Sequence, residues 1–265
     1  MKRPCVLVFA GSDPSGGAGI QADVQGVGAM GAHALTVITA LTVQDNDRVF
    51  AVHPVPARWM QQQAQILIDK IDIAAIKIGI VGNLANAKII AGVIALLRER
   101  NPDLPVVLDP VLASGNGDEL SRDNAASVIA PLIPLATLLT PNLPEAAALA
   151  KGERRSDGQV DALLQQGCQH VLLKGGHGVG EQVINRWYTA GASRTWTFDR
   201  LPGAFHGSGC TLAAAIAGAL ACGLSMEEAL DTAQQFCHHA LEQSFAIADG
   251  QRIPYRSFAW KHVAA

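Results

Sequence analysis

Val6-Leu7-Val8-Phe9-Ala10 runs directly into Gly11-Ser12-Asp13-Pro14-Ser15-Gly16-Gly17-Ala18-Gly19. A helical pattern over about 16–30 then leads to a second apolar run, Ala34–Leu41. A near-continuous apolar run bounded by turn residues reads as a buried strand. Strand, glycine-rich turn, helix and strand together make a parallel crossover unit. The same alternation continues along the chain. Ile73–Ile78, Pro105–Asp109, Thr137–Thr140 and His170–Lys174 read as further buried strands. Helical patterns cover roughly 56–70, 83–100, 121–133, 143–150, 157–167, 208–223 and 225–245. Residues 181–189 and 194–198, with Trp187, Tyr188 and Trp196, read as an antiparallel pair near a sheet edge. The expected architecture is an α/β fold: a mostly parallel central sheet between two helical layers. No low-complexity linker or internal repeat interrupts residues 1–265, so one domain is expected.

Composition narrows the function classes. The chain has 265 residues, 49% of them hydrophobic, and a formal net charge of −3. No basic block is interleaved with aromatics, which argues against a nucleic-acid partner. The five cysteines, at 5, 168, 210, 222 and 237, are far apart and form no CxxC. Zinc ligation and a disulfide framework are therefore not expected, and reduced thiols in the cytoplasm fit better. Cys5, Cys168, Cys222 and Cys237 read as packing residues. The longest apolar stretch, Leu212–Leu224, is too short to span a bilayer.

In such sheets, ligands bind beyond the carboxyl ends of the strands. Those ends read Gly11-Ser12-Asp13, Gln44-Asp45, Gly79, Asp109-Pro110, Thr140-Pro141-Asn142 and Lys174-Gly175-Gly176. The strongest candidate element is His206-Gly207-Ser208-Gly209-Cys210-Thr211-Leu212, followed by an alanine-rich helix. Small residues ahead of a helix N-terminus turn backbone N–H groups and the positive dipole end toward one point, a seat for an anion. Cys210 falls on the first turn, where the dipole is expected to lower the thiol pKa and make a base or nucleophile. A plain glycine-rich turn before a buried helix is the competing reading.

Asp109 closes a strand and can face a cation such as Mg²⁺. Asn142 and Glu145, three apart, share one face of a first helical turn, where Glu145 can likewise face a metal. The same spacing makes a capping box. Lys174, beside two glycines, can reach a phosphate as a point charge or snorkel to solvent. Asp13 and Gln44 can present an acceptor and an amide fork to a heteroaromatic ring, whereas Asp13 can also simply cap a helix. A formal GxGxxA match at Gly17, Gly19 and Ala22 begins too far past its strand for a dinucleotide fingerprint. The dipeptide Gly-Lys is absent, which excludes a P-loop.

Taken in order, AGSDPSGGAGIQAD at 10–23, Val43-Gln44, IKIG at 76–79, LDPV at 108–111, TPNLPEAAAL at 140–149, KGGH at 174–177 and HGSGCTLAAAIA at 206–217 resemble the hydroxymethylpyrimidine/phosphomethylpyrimidine kinases of thiamine biosynthesis. These belong to the ribokinase-like superfamily. The resemblance implies a three-layer αβα sandwich and transfer of the ATP γ-phosphoryl group with Mg²⁺. The acceptors it implies are 4-amino-5-hydroxymethyl-2-methylpyrimidine and then its monophosphate. It places Cys210 where most of the superfamily has an aspartate base. The expected pyrimidine pocket is Gly11, Asp13, Ala18, Val43, Gln44 and Val107. The ATP phosphates are expected along Asn142, Lys174, Gly207, Ser208 and Gly209, with Mg²⁺ held by Asp109 and Glu145. Three departures from the family pattern are Ser208 in place of threonine, Ala204-Phe205 in place of Asn-Thr, and Ile80 in place of methionine. The resemblance leaves a homodimer open. The same fold also hosts pyridoxal kinases. A non-catalytic nucleotide-binding module and a nicotinamide-dependent oxidoreductase are the remaining alternatives. Asn116–Glu119, preceded by Ser114-Gly115, is the expected flap.

Overall fold

The computed structural model describes residues 2–113, 124–150, 152–153 and 155–258. The opening unit folds as the sequence implies: β1 (Cys5–Ser12), α1 (Gly19–Ala29) and β2 (His33–Gln44), with β1 and β2 parallel. β2 then turns back as β3 (Val49–Pro54), an antiparallel edge strand. The sequence reading left this strand out. Its turn is built by Asp45, whose Oδ1 accepts the N–H groups of Asp47 and Arg48, both at 2.8 Å. Such local side-chain-to-backbone bonding is what makes aspartate a turn residue.

The chain continues through α2 (Ala57–Lys70), β4 (Ile73–Ile78), α3 (Leu84–Arg100), β5 (Val106–Leu108) and α4 (Ala125–Ile129). A 3₁₀ segment, Ala130–Leu135, follows. Pro131 and Pro134 lack the N–H that an α-helix needs, so the single helix expected there is split. Then come β6 (Leu138–Leu139), α5 (Leu143–Leu149), α6 (Ser156–Gln165), β7 (His170–Leu173), β8 (Gln182–Tyr188), β9 (Ser193–Asp199), α7 (Ser208–Ala221) and α8 (Met226–Glu242).

The nine strands form one sheet in the order β3-β2-β1-β4-β5-β6-β7-β8-β9. The six strands from β2 to β7 in this row run parallel, and β3, β8 and β9 are antiparallel. Side chains alternate across the sheet as pleating requires. Leu7, Phe9, Ile76 and Ile78 pack on one face with α2 and α3 residues such as Met60 and Ile90. Val6, Val8, Ala10 and Ala75 pack on the other with α1, α7 and α8 residues such as Val27, Ile216 and Phe236. Each large side chain so buried is worth about 1.5–3 kcal/mol.

The contact between α1 and α7 is made of small residues. A Cβ on Gly26 would meet the Ala214 Cβ at 2.9 Å, and one on Gly218 would meet the Met30 Cβ at 2.9 Å. The two helices therefore approach as closely as their backbones allow. One polar pair lies within this layer: Lys77 on β4 and Asp23 on α1, 2.8 Å apart, neither exposed at all. β1 is followed by a strand on one side and later flanked by β4 on the other. The carboxyl ends of β1 and β4 are thus a topological switch point, where such sheets open a crevice.

Candidate active site

A cavity of about 500 Å³ opens at that crevice, within the usual range for small-molecule sites. Its floor is the carboxyl ends of β1, β4 and β5 with the start of α7, and Phe198, His238 and Leu241 line its far end. No helix among the described residues is long and apolar enough to cross a membrane.

The loop after β1 is shaped by Asp13. Its carboxylate accepts from Ser15 N (2.8 Å), Ser15 Oγ (3.0 Å) and Ala18 N (2.7 Å), and pairs with His206 Nε2 at 2.9 Å. Burial works to raise its pKa, but these bonds outweigh it and hold the group at about 2. Asp13 lines the cavity, yet its oxygens already serve the loop, which corrects the expectation that it presents a free acceptor to a ring. Gly19 has a positive φ of 56°, and a Cβ there would lie 2.3 Å from the Gly11 carbonyl.

The anion seat forms where the sequence places it. Gly207 takes a left-handed conformation at φ 76°, and no side chain caps α7. Residues 207–210 line the cavity, so the first-turn N–H groups are not consumed by a cap. The carbonyl of Gly17 lies where a Gly207 Cβ would meet it at 2.0 Å, so only glycine fits. A Cβ on Gly209 would lie 3.1 Å from Lys174 Nζ and 3.6 Å from Asp109 Oδ2. Three separate segments thus converge on one point.

Lys174 Nζ bonds Asp109 Oδ1 at 2.8 Å and lies 4.0 Å from Glu145 Oε2. Thr140 Oγ1 donates to the same Asp109 oxygen at 3.1 Å. Burial would raise the Asp109 pKa, but Lys174 and Lys77 outweigh it and the net shift is downward. Burial would lower the Lys174 pKa, and Asp109 and Glu145 reverse that. Glu145 is raised to about 7, chiefly by burial. Asn142 and Glu145 make the reciprocal capping box that competed with the ligand reading: Asn142 N bonds Glu145 Oε2 at 2.8 Å and Glu145 N bonds Asn142 Oδ1 at 2.9 Å. The box also holds both side chains against the cavity.

Cys210 is half-buried and lines the cavity. Its sulfur is not an activated thiolate. Burial pushes the thiol up to about 11, against the pull of Lys77 and a hydrogen bond from the Gly19 N–H. The expected dipole-lowered pKa is corrected by this desolvation, which outweighs the field of the helix end.

Gly11, Ala18 and Gln44 line the cavity. Two other expected pocket residues lie elsewhere. Val43 alternates with Thr42 and Gln44 along β2, so it faces the opposite side and is 51% exposed. Val107 is fully buried in the apolar layer beneath α7. Ile80 and Val111 supply apolar wall instead. Cys222 is exposed at the end of α7 and lies outside the core, with its sulfur against the Met30 carbonyl at the end of α1, 3.2 Å away. The Asn116–Glu119 flap lies outside the described residues.

Several polar residues escaped the sequence reading. Lys77 interrupts the apolar run Ile73–Ile78, and a charge inside a buried strand implies a buried partner. Arg200, closing β9, donates to the carbonyls of Gly176 (2.8 Å), Gly178 (2.9 Å), Gly180 (2.7 Å) and Gln182 (3.2 Å), folding the loop beyond Lys174. Asn185 accepts from Gly175 N and donates to Gln234, both at 2.9 Å.

The model of a family described as phosphomethylpyrimidine kinase matches residues 13–254. A hydroxymethylpyrimidine/phosphomethylpyrimidine kinase of Rhizobium meliloti is 37% identical, over 96% of this chain and 98% of that protein. A thiamine biosynthesis multifunctional protein of Corynebacterium efficiens is 34% identical over 94% of this chain, which matches 34% of that protein. The pyridoxal kinase of Staphylococcus aureus, solved with AMP-PCP and pyridoxal, superposes with a TM-score of 0.83 at 29% identity, over 96% of this chain and 94% of that one.

Proposed function

The chain belongs to the phosphomethylpyrimidine kinase family, and on that premise we propose how its site works. The protein is a kinase of thiamine biosynthesis that phosphorylates 4-amino-5-hydroxymethyl-2-methylpyrimidine and then the resulting monophosphate, with ATP as donor. The single observation that carries the site assignment is the convergence of Gly209, Lys174 and Asp109 beside Cys210. Phosphoryl transfer depends mainly on positioning and charge stabilisation. The uncapped first turn of α7 and Lys174 supply fixed positive potential for the moving group.

The pyrimidine is seated among Gly11, Ala18, Gln44 and Ile80, with the Gln44 amide bonding ring nitrogen and amino group. Cys210 accepts the hydroxyl proton as the new P–O bond forms. Lys77 and the Gly19 N–H lower the cost of its thiolate. Phe198 and His238, whose rings stack at 5.0 Å, offer an aromatic seat for adenine at the far end.

Among the described residues no three His, Cys, Asp or Glu side chains form a metal cage. The hard carboxylate oxygens of Asp109 and Glu145 nevertheless fit Mg²⁺, which usually keeps water and phosphate as its other ligands. When bound, the ion would neutralise phosphate charge. The protein is expected to work in the cytoplasm, since its thiols are unpaired.

Pyridoxal remains a second acceptor to compare because of the S. aureus neighbour. The test is ADP release with the pyrimidine alcohol, its monophosphate and pyridoxal in one assay. The pyrimidine pair should turn over fastest. Faster turnover of pyridoxal would reverse the acceptor assignment.

A further inference from the structure

The chain beyond α8 returns across the rim of the site. Phe245 and Ile253 exchange backbone bonds of 3.0 and 2.8 Å, and Arg252 bonds Ala204 and His206 through its backbone at 2.8 and 2.9 Å. Asn46 Nδ2 donates to the carbonyls of Asp249 and Gln251, each at 3.0 Å. This strap therefore touches both the β2–β3 turn and the segment before α7. It ends by delivering Arg256 into the interior, where the residue is 3% exposed.

Arg256 Nε donates to Thr211 Oγ1 at 2.8 Å, and Nη2 donates to the Gly17 carbonyl. Both partners are neutral, and Nη1 has no hydrogen-bond partner among the described residues. Burial holds the guanidinium below its ordinary pKa, and Asp23 and Asp13 favour the charge only through space. A buried cation whose direct hydrogen-bond partners are neutral is costly, so its place in the fold calls for a reason. The two partners supply one. Gly17 belongs to the loop that walls the acceptor pocket, and Thr211 follows Cys210. Gly19, two residues beyond Gly17, donates to the Cys210 sulfur.

We propose that Arg256 is a positioning residue for phosphoryl transfer: its guanidinium fastens the acceptor loop at Gly17 to the first turn of α7 at Thr211, fixing Cys210 relative to the acceptor alcohol. The proposal rests on the kinase reading above. A guanidinium can span both partners with a planar fork, and an ammonium reaches one.

The test compares Arg256→Met, Arg256→Lys, Thr211→Val and the Met/Val double variant. Misplacement by an ångström can cost about 100-fold in rate. Arg256→Met should lose roughly 30- to 100-fold in kcat with the KM for ATP within about threefold, and Arg256→Lys should fall between. Thr211 Oγ1 also donates to the Gly207 carbonyl at 2.8 Å, so the double variant should be no worse than the more impaired single one, because the clamp is broken once. A kcat within about twofold of the parent, multiplying losses, or a KM for ATP rising in step with the kcat loss would each overturn the proposal. If Arg256→Met does not fold, Arg256→Lys is judged by the same criteria. Parent turnover tests the kinase reading separately. Alkylation of Cys210 by iodoacetamide, read on its own peptide against Cys168, judges the clamp even without turnover. Arg256→Met or Arg256→Lys should speed it by roughly fivefold as the loop loosens, and an unchanged rate would sink the clamp.

Discussion

At the scale of single residues, Cys210 shows how burial and helix field compete. Its thiol titrates at about 11, so in the free protein the neutral thiol dominates at pH 7. The proton-accepting form is then a small fraction that grows about tenfold per pH unit below the pKa. With the acceptor alcohol, kcat/KM, which reports free-enzyme groups, should climb steeply between about pH 7 and 9, provided chemistry limits the rate. In Cys210→Ala the climb should vanish and kcat should fall by about 10²–10⁴. A plateau below pH 8 in the parent would show that the sulfur is more acidic than its burial implies. The position of Cys210 was legible in the sequence because three small residues precede it. Its ionisation was not, since burial and the charges that act on it, Lys77, Asp109 and Asp23, come from segments far away along the chain. Val43 was misplaced for a simpler reason: neighbours on a strand face opposite sides, and the sequence alone did not say which of Val43 and Gln44 faced the cavity.

At the scale of elements, the start of α7 separates two glycines with different duties. Gly207 has positive φ and backbone packed where its Cβ would be. Gly207→Ala should therefore lower the thermal midpoint, with a cost of about 1–3 kcal/mol. A Cβ on Gly209 would meet only the side-chain ends of Lys174 and Asp109, and no backbone. Gly209→Ala should keep the midpoint within a few degrees while nucleotide affinity drops roughly tenfold or more. Calorimetric melting and titration with a non-hydrolysable ATP analogue distinguish the two. Equal effects on both quantities in both variants would contradict the division of roles. Most helices were legible from their periodicity and the edge pair β8–β9 from its aromatics. β3 was overlooked although Asp45-Asn46-Asp47 is strong turn chemistry. The helix expected over 121–133 ignored Pro131 inside it and Pro134 just beyond its end. The capping box of Asn142 and Glu145 was legible as a spacing, and the structure shows that it also holds both side chains against the cavity.

At the scale of the whole molecule, one nine-stranded sheet joins the two apolar layers. Every parallel strand is flanked on both sides by another strand. We expect the chain to behave as one domain. Calorimetry should give a single transition whose calorimetric and van't Hoff enthalpies agree, and two resolved transitions would refute this. The alternation of strands and helices was legible because each parallel link needs a crossover, whereas the order of the strands in the sheet was not. The role of the segment after α8 was not, because it works by backbone bonds and one arginine, with no periodic pattern to read.

The glycine and alanine seam between α1 and α7 has a practical corollary for redesign. The seam lies outside the cavity lining and has no bulk to trim, so it offers no room to a larger ligand. Enlarging the enzyme's appetite toward wider vitamin precursors would have to start in the lining itself, at Ile80 and Phe205, where whole side chains remain to be shaved.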